Sequence, residues 1–111
     1  KQNNQNVDDL RIWEQKKYRD QAIFFWRDLA NRLKNHPAIV GYNILNEPHP
    51  ERLNDISDYR QIDFLAWNTS IKESLADLNL FYQDIVHAIR EVDFSTPIVV
   101  DTGLYATPWA I

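Results

Sequence analysis

Two short runs in this chain are apolar on both faces, and that limits the fold more than any other feature. The first, Ala38-Ile39-Val40-Gly41-Tyr42-Asn43-Ile44-Leu45, carries no charge, and the second, Pro97-Ile98-Val99-Val100, ends on Asp101. Runs rich in Ile and Val, without polar alternation, read as strands covered on both sides, as in a parallel sheet. Pro97 fits the first position of its strand, where no ladder hydrogen is required of it. Before the first run, Ile12, Ala22, Ile23, Trp26, Leu29, Ala30 and Leu33 recur at three- and four-residue steps. They predict a helix from Asp8 or Asp9 to about Asn35, stopped by Pro37 and broken near residues 16 to 19, where the periodicity fades. A second stripe of Leu78, Phe81, Ile85, Ala88, Ile89 and Val92 predicts a helix over about 77–92.

Residues 1 to 7 are expected to be a flexible lead-in. Residues 48 to 76 are too many for a structureless loop and are expected to carry a short helix. The order is helix, strand, long loop, helix, strand, which is an α/β pattern. Two strands do not complete such a sheet, because each would leave an edge and an apolar face open. A (β/α)8 barrel takes ~250 residues. At 111 residues, the chain is expected to be a slice of a larger fold.

Composition narrows the chemistry. A net charge of -4 gives no general attraction to nucleic acid or anionic membrane. The basic run Lys16-Lys17-Tyr18-Arg19 is flanked by Glu14 and Asp20 and reads as a solvated helix face. No apolar run approaches the ~18 residues that span a bilayer. Cysteine is absent, which excludes disulfides and thiolate metal sites and leaves the compartment open. With three scattered histidines and two glycines, neither a zinc site nor a phosphate loop is expected, and no cofactor. The N-terminus is polar, has no apolar core of a signal peptide and lacks an initiator Met. A mature product, a recombinant segment or a piece of something longer would each look like this.

The first strand ends on Asn46-Glu47-Pro48. In α/β sheets the reactive groups gather at the carboxyl ends of the strands. Period-two alternation puts Gly41, Asn43, Leu45 and Glu47 on one face and Val40, Tyr42 and Ile44 on the other. The bulky set suits packing under helices, and the smaller, more polar set suits a barrel interior opening at Glu47. A glutamate there serves as general acid/base, nucleophile or metal ligand, or is simply a polar strand end. Asn46 adds an amide able to hold a hydroxyl, and Pro48 restricts the backbone.

The stretch from Phe25-Trp26-Arg27-Asp28-Leu29-Ala30 through Pro37-Ala38-Ile39-Val40-Gly41-Tyr42-Asn43-Ile44-Leu45-Asn46-Glu47-Pro48 resembles glycoside hydrolase family 5, the cellulase-like retaining glycosidases. The similarity continues in Leu80-Phe81-Tyr82-Gln83, Ala88-Ile89-Arg90-Glu91-Val92-Asp93 and Thr96-Pro97-Ile98-Val99-Val100. The resemblance implies a (β/α)8 TIM barrel in which residues 38–47 are strand four and 97–102 strand five. All 111 residues would then form part of a glycosidase catalytic domain. It implies Glu47 as catalytic acid/base, Asn46 as the residue that positions the neighbouring sugar hydroxyl, and an oligo- or polysaccharide substrate of β-linked glucan or mannan type. It also implies a secreted enzyme of polysaccharide degradation that works with the remainder of the barrel. A retaining glycosidase sets two carboxyls ~5–5.5 Å apart. The family's nucleophile is a second glutamate ending strand seven, and no carboxylate here, Asp101 included, falls at a matching motif. The segment alone is therefore expected to be inactive.

His49 is a candidate for lining the cleft or a loop histidine without a role, and His36 and His87 read as structural. Trp109, on the loop after the second strand, suits sugar stacking or packing equally, with Tyr105 a weaker candidate. Trp13 and Trp26 read as core, and Trp67 as either. The rival functions are a non-catalytic carbohydrate-binding remnant of the same barrel and an α/β interaction module without a carbohydrate role.

Overall fold

The structure is a computed structural model, and it describes residues 9–56 and 61–108. A short helix α1 (Arg11–Glu14) is separated from α2 (Lys16–Leu33) by Gln15, which is extended at φ -128° and ψ 117°. The break in the first helix thus lies one residue before the stretch where the apolar period fades. Asn35, in left-handed geometry at φ 65°, follows the end of α2, and the turn closes with Ile39 N–H donating to the His36 carbonyl. Strand β1 (Tyr42–Asn43) leads into a 3-10 turn (Pro50–Asn54) and helix α3 (Gln61–Ser70). Helix α4 (Leu78–Arg90), strand β2 (Ile98–Val99) and the single-turn helix α5 (Gly103–Ala106) follow. The described part of the long connection therefore carries two helical pieces. The expected lead-in over residues 1–7 lies outside the described residues.

The strands pair parallel, Tyr42 opposite Ile98 and Asn43 opposite Val99. Parallel neighbours need a crossover, and α4 supplies it. The rungs run from Tyr42 N–H to the Pro97 carbonyl at 2.9 Å and from Ile44 N–H to the Val99 carbonyl at 3.2 Å. The pairing is shorter than the expected strands, because a ladder exists only where a neighbour presents its backbone. Gly41 suits the close approach at the first rung, where a Cβ would stand 3.2 Å from the Pro97 carbonyl oxygen.

The alternation holds for the paired residues. Tyr42 and Ile44 are buried against the helices, while Asn43 and Val99 face outward on the opposite, open side of the pair. Val40 departs from it at 87% exposure; it lies before the first rung, in the stretch that connects α2 to β1. Helices α2 and α4 pack against each other over the covered face. There Trp13, Ala30, Phe81, Tyr82, Ile85 and Ile89 join Tyr42 and Ile44, with Trp26 packed alongside. Trp67 is core too, its Nε1–H donating to Asn54 Oδ1 at 2.8 Å. Asp77 caps α4, accepting from Leu80 N–H and Glu73 N–H.

Arg19 corrects the expectation of a solvated basic face. Lys16 pairs with Asp20 in the open, but Arg19 turns inward to Asp84 of α4 at 2.8 Å and lies near the Phe81 ring. An arginine with long methylenes can pack while its guanidinium keeps a charge partner.

Candidate functional site

Glu47 lies at the carboxyl end of β1, three residues past the last rung, and both it and Asn46 are exposed. Strand pleat does not set its direction. Its backbone is left-handed, with φ 47°, in a bend that interrupts the alternation. Such a conformation costs a side-chain-bearing residue roughly 1–3 kcal/mol and persists only where surrounding contacts impose it.

Two such contacts flank the residue. Its N–H donates to Asp101 Oδ2 at 3.0 Å, joining the ends of the two strands. On the other side, Nδ1 of His49 lies 3.0 Å from the Glu47 carbonyl oxygen. Asp101 is anchored in turn, its carbonyl accepting from the Tyr82 hydroxyl at 2.7 Å. Tyr82 sits on α4 among the core residues, and burial pushes its hydroxyl up to about 12, so it remains a donor at any working pH. Pro48, buried, holds the chain as it turns into the 3-10 segment.

A second carboxyl lies close by in sequence and in quite different surroundings. Glu51, in the 3-10 turn, is 0% exposed, and neither side-chain oxygen completes a hydrogen bond. Burial pushes its carboxyl up. The backbone N–H groups of Glu51 and Leu104 and the neighbouring His49 and Arg52 pull the other way without reversing the shift. Gly103 lies beside it and against the Phe64 ring, which a Cβ there would approach to 3.2 Å while standing an ordinary 3.7 Å from Glu51 Oε2.

The structure thus brings together three residues of the sequence reading, Asn46, Glu47 and His49, and turns His49 back onto the Glu47 backbone. Trp109 lies outside the described residues, as does the side chain of Tyr105. Asp101 and Glu51 were not among the site candidates. Asp101 carried a visible signal, a carboxylate closing an apolar strand. Glu51 carried none, because Pro50-Glu51-Arg52 reads as an ordinary polar loop. Among the described residues, no group of three or more His, Asp or Glu side chains is arranged to hold a metal. None of their helices is long and apolar enough to cross a membrane.

The chain matches the family model of cellulase, glycosyl hydrolase family 5, over residues 2–109. It is 27% identical over 100 residues to a beta-xylosidase of Phanerodontia chrysosporium, a match covering 90% of this chain and 16% of that protein. It is 28% identical over 100 residues to an endoglycoceramidase of Hydra vulgaris, covering 81% of this chain and 18% of the relative. The chain thus spans less than a fifth of the length of these curated relatives. No solved structure matches it. A match along nearly all of its length, to a family of (β/α)8 barrels, is consistent with the parallel pair: the chain belongs to glycosyl hydrolase family 5.

Proposed function

We propose that this chain is the part of a retaining β-glycosidase barrel that holds strands four and five, with Glu47 as the acid/base. The observation that carries the proposal is the place of Glu47. It lies just past the carboxyl end of the first strand of a parallel pair, directly after Asn46, in a chain matched by the family over residues 2–109. Glu47 gives its proton to the leaving glycosidic oxygen as a glutamate elsewhere in the barrel attacks the anomeric carbon. It then takes a proton from the water that releases the sugar. Asn46 holds the hydroxyl beside the reacting carbon. The substrate is a β-linked glycan of glucan or mannan type, and the reaction uses no cofactor. The names of both relatives, a xylosidase and a glycoceramidase, are those of glycosidases and support the reaction class.

General acid/base assistance of this kind contributes ~10²–10⁴ in rate. In the complete domain, Glu47→Gln is expected to slow hydrolysis of substrates with poor leaving groups at least ~100-fold. Aryl glycosides whose leaving group departs without a proton should keep their first, glycosylation step. Unchanged turnover of the poor leaving groups would remove Glu47 from the role.

A further inference from the structure

The contacts on the Glu47 backbone point to a residue that works through it. In the parallel register, rungs form at Tyr42 N–H to Pro97 and Ile44 N–H to Val99. Two residues on, the same register would set Asn46 N–H against the carbonyl of Asp101. That carbonyl instead accepts the hydroxyl of Tyr82, and the Asp101 carboxylate reaches across to the N–H of Glu47. A side chain thus joins the strands where the backbone ladder stops, and it does so at the residue with left-handed geometry.

We propose that Asp101 is the positioning residue of Glu47. Its carboxylate holds the Glu47 N–H, that bond stabilises the left-handed turn, and the turn fixes where the Glu47 carboxyl is presented. Tyr82 holds Asp101 by its carbonyl, so the aim of the carboxyl is referred to α4, an element of the core rather than of the loop. His49, at the Glu47 carbonyl, closes the other side of the same peptide segment. Asp101 needs no contact with substrate for this, and its requirement is for an acceptor oxygen rather than for a charge. The inference rests on the acid/base reading of Glu47.

The test uses the complete domain and aryl and oligosaccharide substrates with poor leaving groups. Asp101→Ala is expected to lower kcat about tenfold or more with KM nearly unchanged, since a displacement of ~1 Å costs up to ~100-fold. Asp101→Asn, which keeps an acceptor oxygen, should restore kcat to within about threefold of the parent. In a Glu47→Gln background, Asp101→Ala should cost less than about twofold more, because the two act as one unit. Tyr82→Phe should lower kcat severalfold in the parent and not in Glu47→Gln, which keeps the proposal testable if Asp101→Ala fails to fold. Full activity in Asp101→Ala would overturn the proposal. So would an undiminished loss in the Glu47→Gln background, or an Asn variant as slow as the Ala variant. If Glu47→Gln alone is as fast as the parent, the acid/base reading fails and this inference with it. If Glu47→Gln is slow and Asp101→Ala is not, the positioning role alone fails.

Discussion

Glu51 and Glu47 are four residues apart and sit in opposite environments, one fully buried and the other exposed. A buried carboxyl without a partner favours its neutral form, so its pKa in the folded chain lies above the ordinary value of 4.5. The unfolded chain releases this proton first as pH rises, and the folded chain holds it longer. Stability is therefore complete below the ordinary value and is lost as pH rises from there through the raised folded value. Glu51→Gln keeps the shape without the titration. In the complete domain, the melting temperature of the parent should fall by a few degrees relative to Glu51→Gln as pH rises above 4.5. The two should converge in acid. Parallel curves across that range would show that Glu51 does not titrate differently in the folded chain. Nothing in the sequence announces this residue, because burial of one loop glutamate depends on where Phe64 and Gly103 come to rest around it.

At the scale of elements, the turn from α4 into β2 is built on Asp93. Its carboxylate accepts from Tyr42 Oη at 2.8 Å and Thr96 Oγ1 at 2.6 Å, and from the backbone N–H groups of Ser95 and Thr96. Burial acts to raise its pKa. The bonds from Thr96, Tyr42 and the backbone outweigh that and hold the carboxyl well below the usual range. Arg90 ties the same turn by donating to the carbonyls of Asp93 and Thr96. One carboxylate thereby joins β1 to the segment that feeds its parallel neighbour. Asp93→Ala leaves several buried donors unpaired and should destabilise the complete domain by ~3 kcal/mol in urea unfolding. A loss under ~1 kcal/mol would mean that the turn holds without it. Because the folded pKa is lowered, this stability is present above the ordinary carboxylate value and fades as pH falls below it. The helices and the order of elements were legible, because Phe81, Ile85 and Ile89 repeat with a period that only one geometry satisfies. The strands were legible as apolar runs but not in extent, since pairing depends on a neighbour and not on propensity. The regular strand pleat does not extend to Glu47, which sits in a bend. A left-handed residue flanked by Asp101 and His49 depends on contacts 54 and two residues away, and alternation describes neither.

The whole molecule has one finished side and one open side. Its radius of gyration is 15.4 Å, against about 13 Å for a compact domain of this length. The principal extents of 41 × 40 × 25 Å describe a slab. Helices α2 and α4 cover one face of the strand pair. On the other, Val99 is 51% exposed beside Asn43. Val40 and Phe94 are open at the amino ends of the strands, and Phe24 and Phe25 on α2. In a barrel the open sheet face would be the packed interior, and each strand would have a second neighbour. Among its described residues, the segment alone keeps two unpaired strand edges beside an apolar surface, a combination that natural sheets cover or charge. The 111 residues expressed by themselves are therefore expected to self-associate at tens of micromolar, seen as concentration-dependent mass in sedimentation velocity. If the open sheet face is the route, Val99→Lys should shift the distribution toward monomer. Phe24→Lys, on the outer face of α2, should leave it nearly unchanged, because helices pack there without offering an edge. A monodisperse monomer that melts cooperatively would contradict this, and would mean that two strands and their helices form a self-sufficient unit.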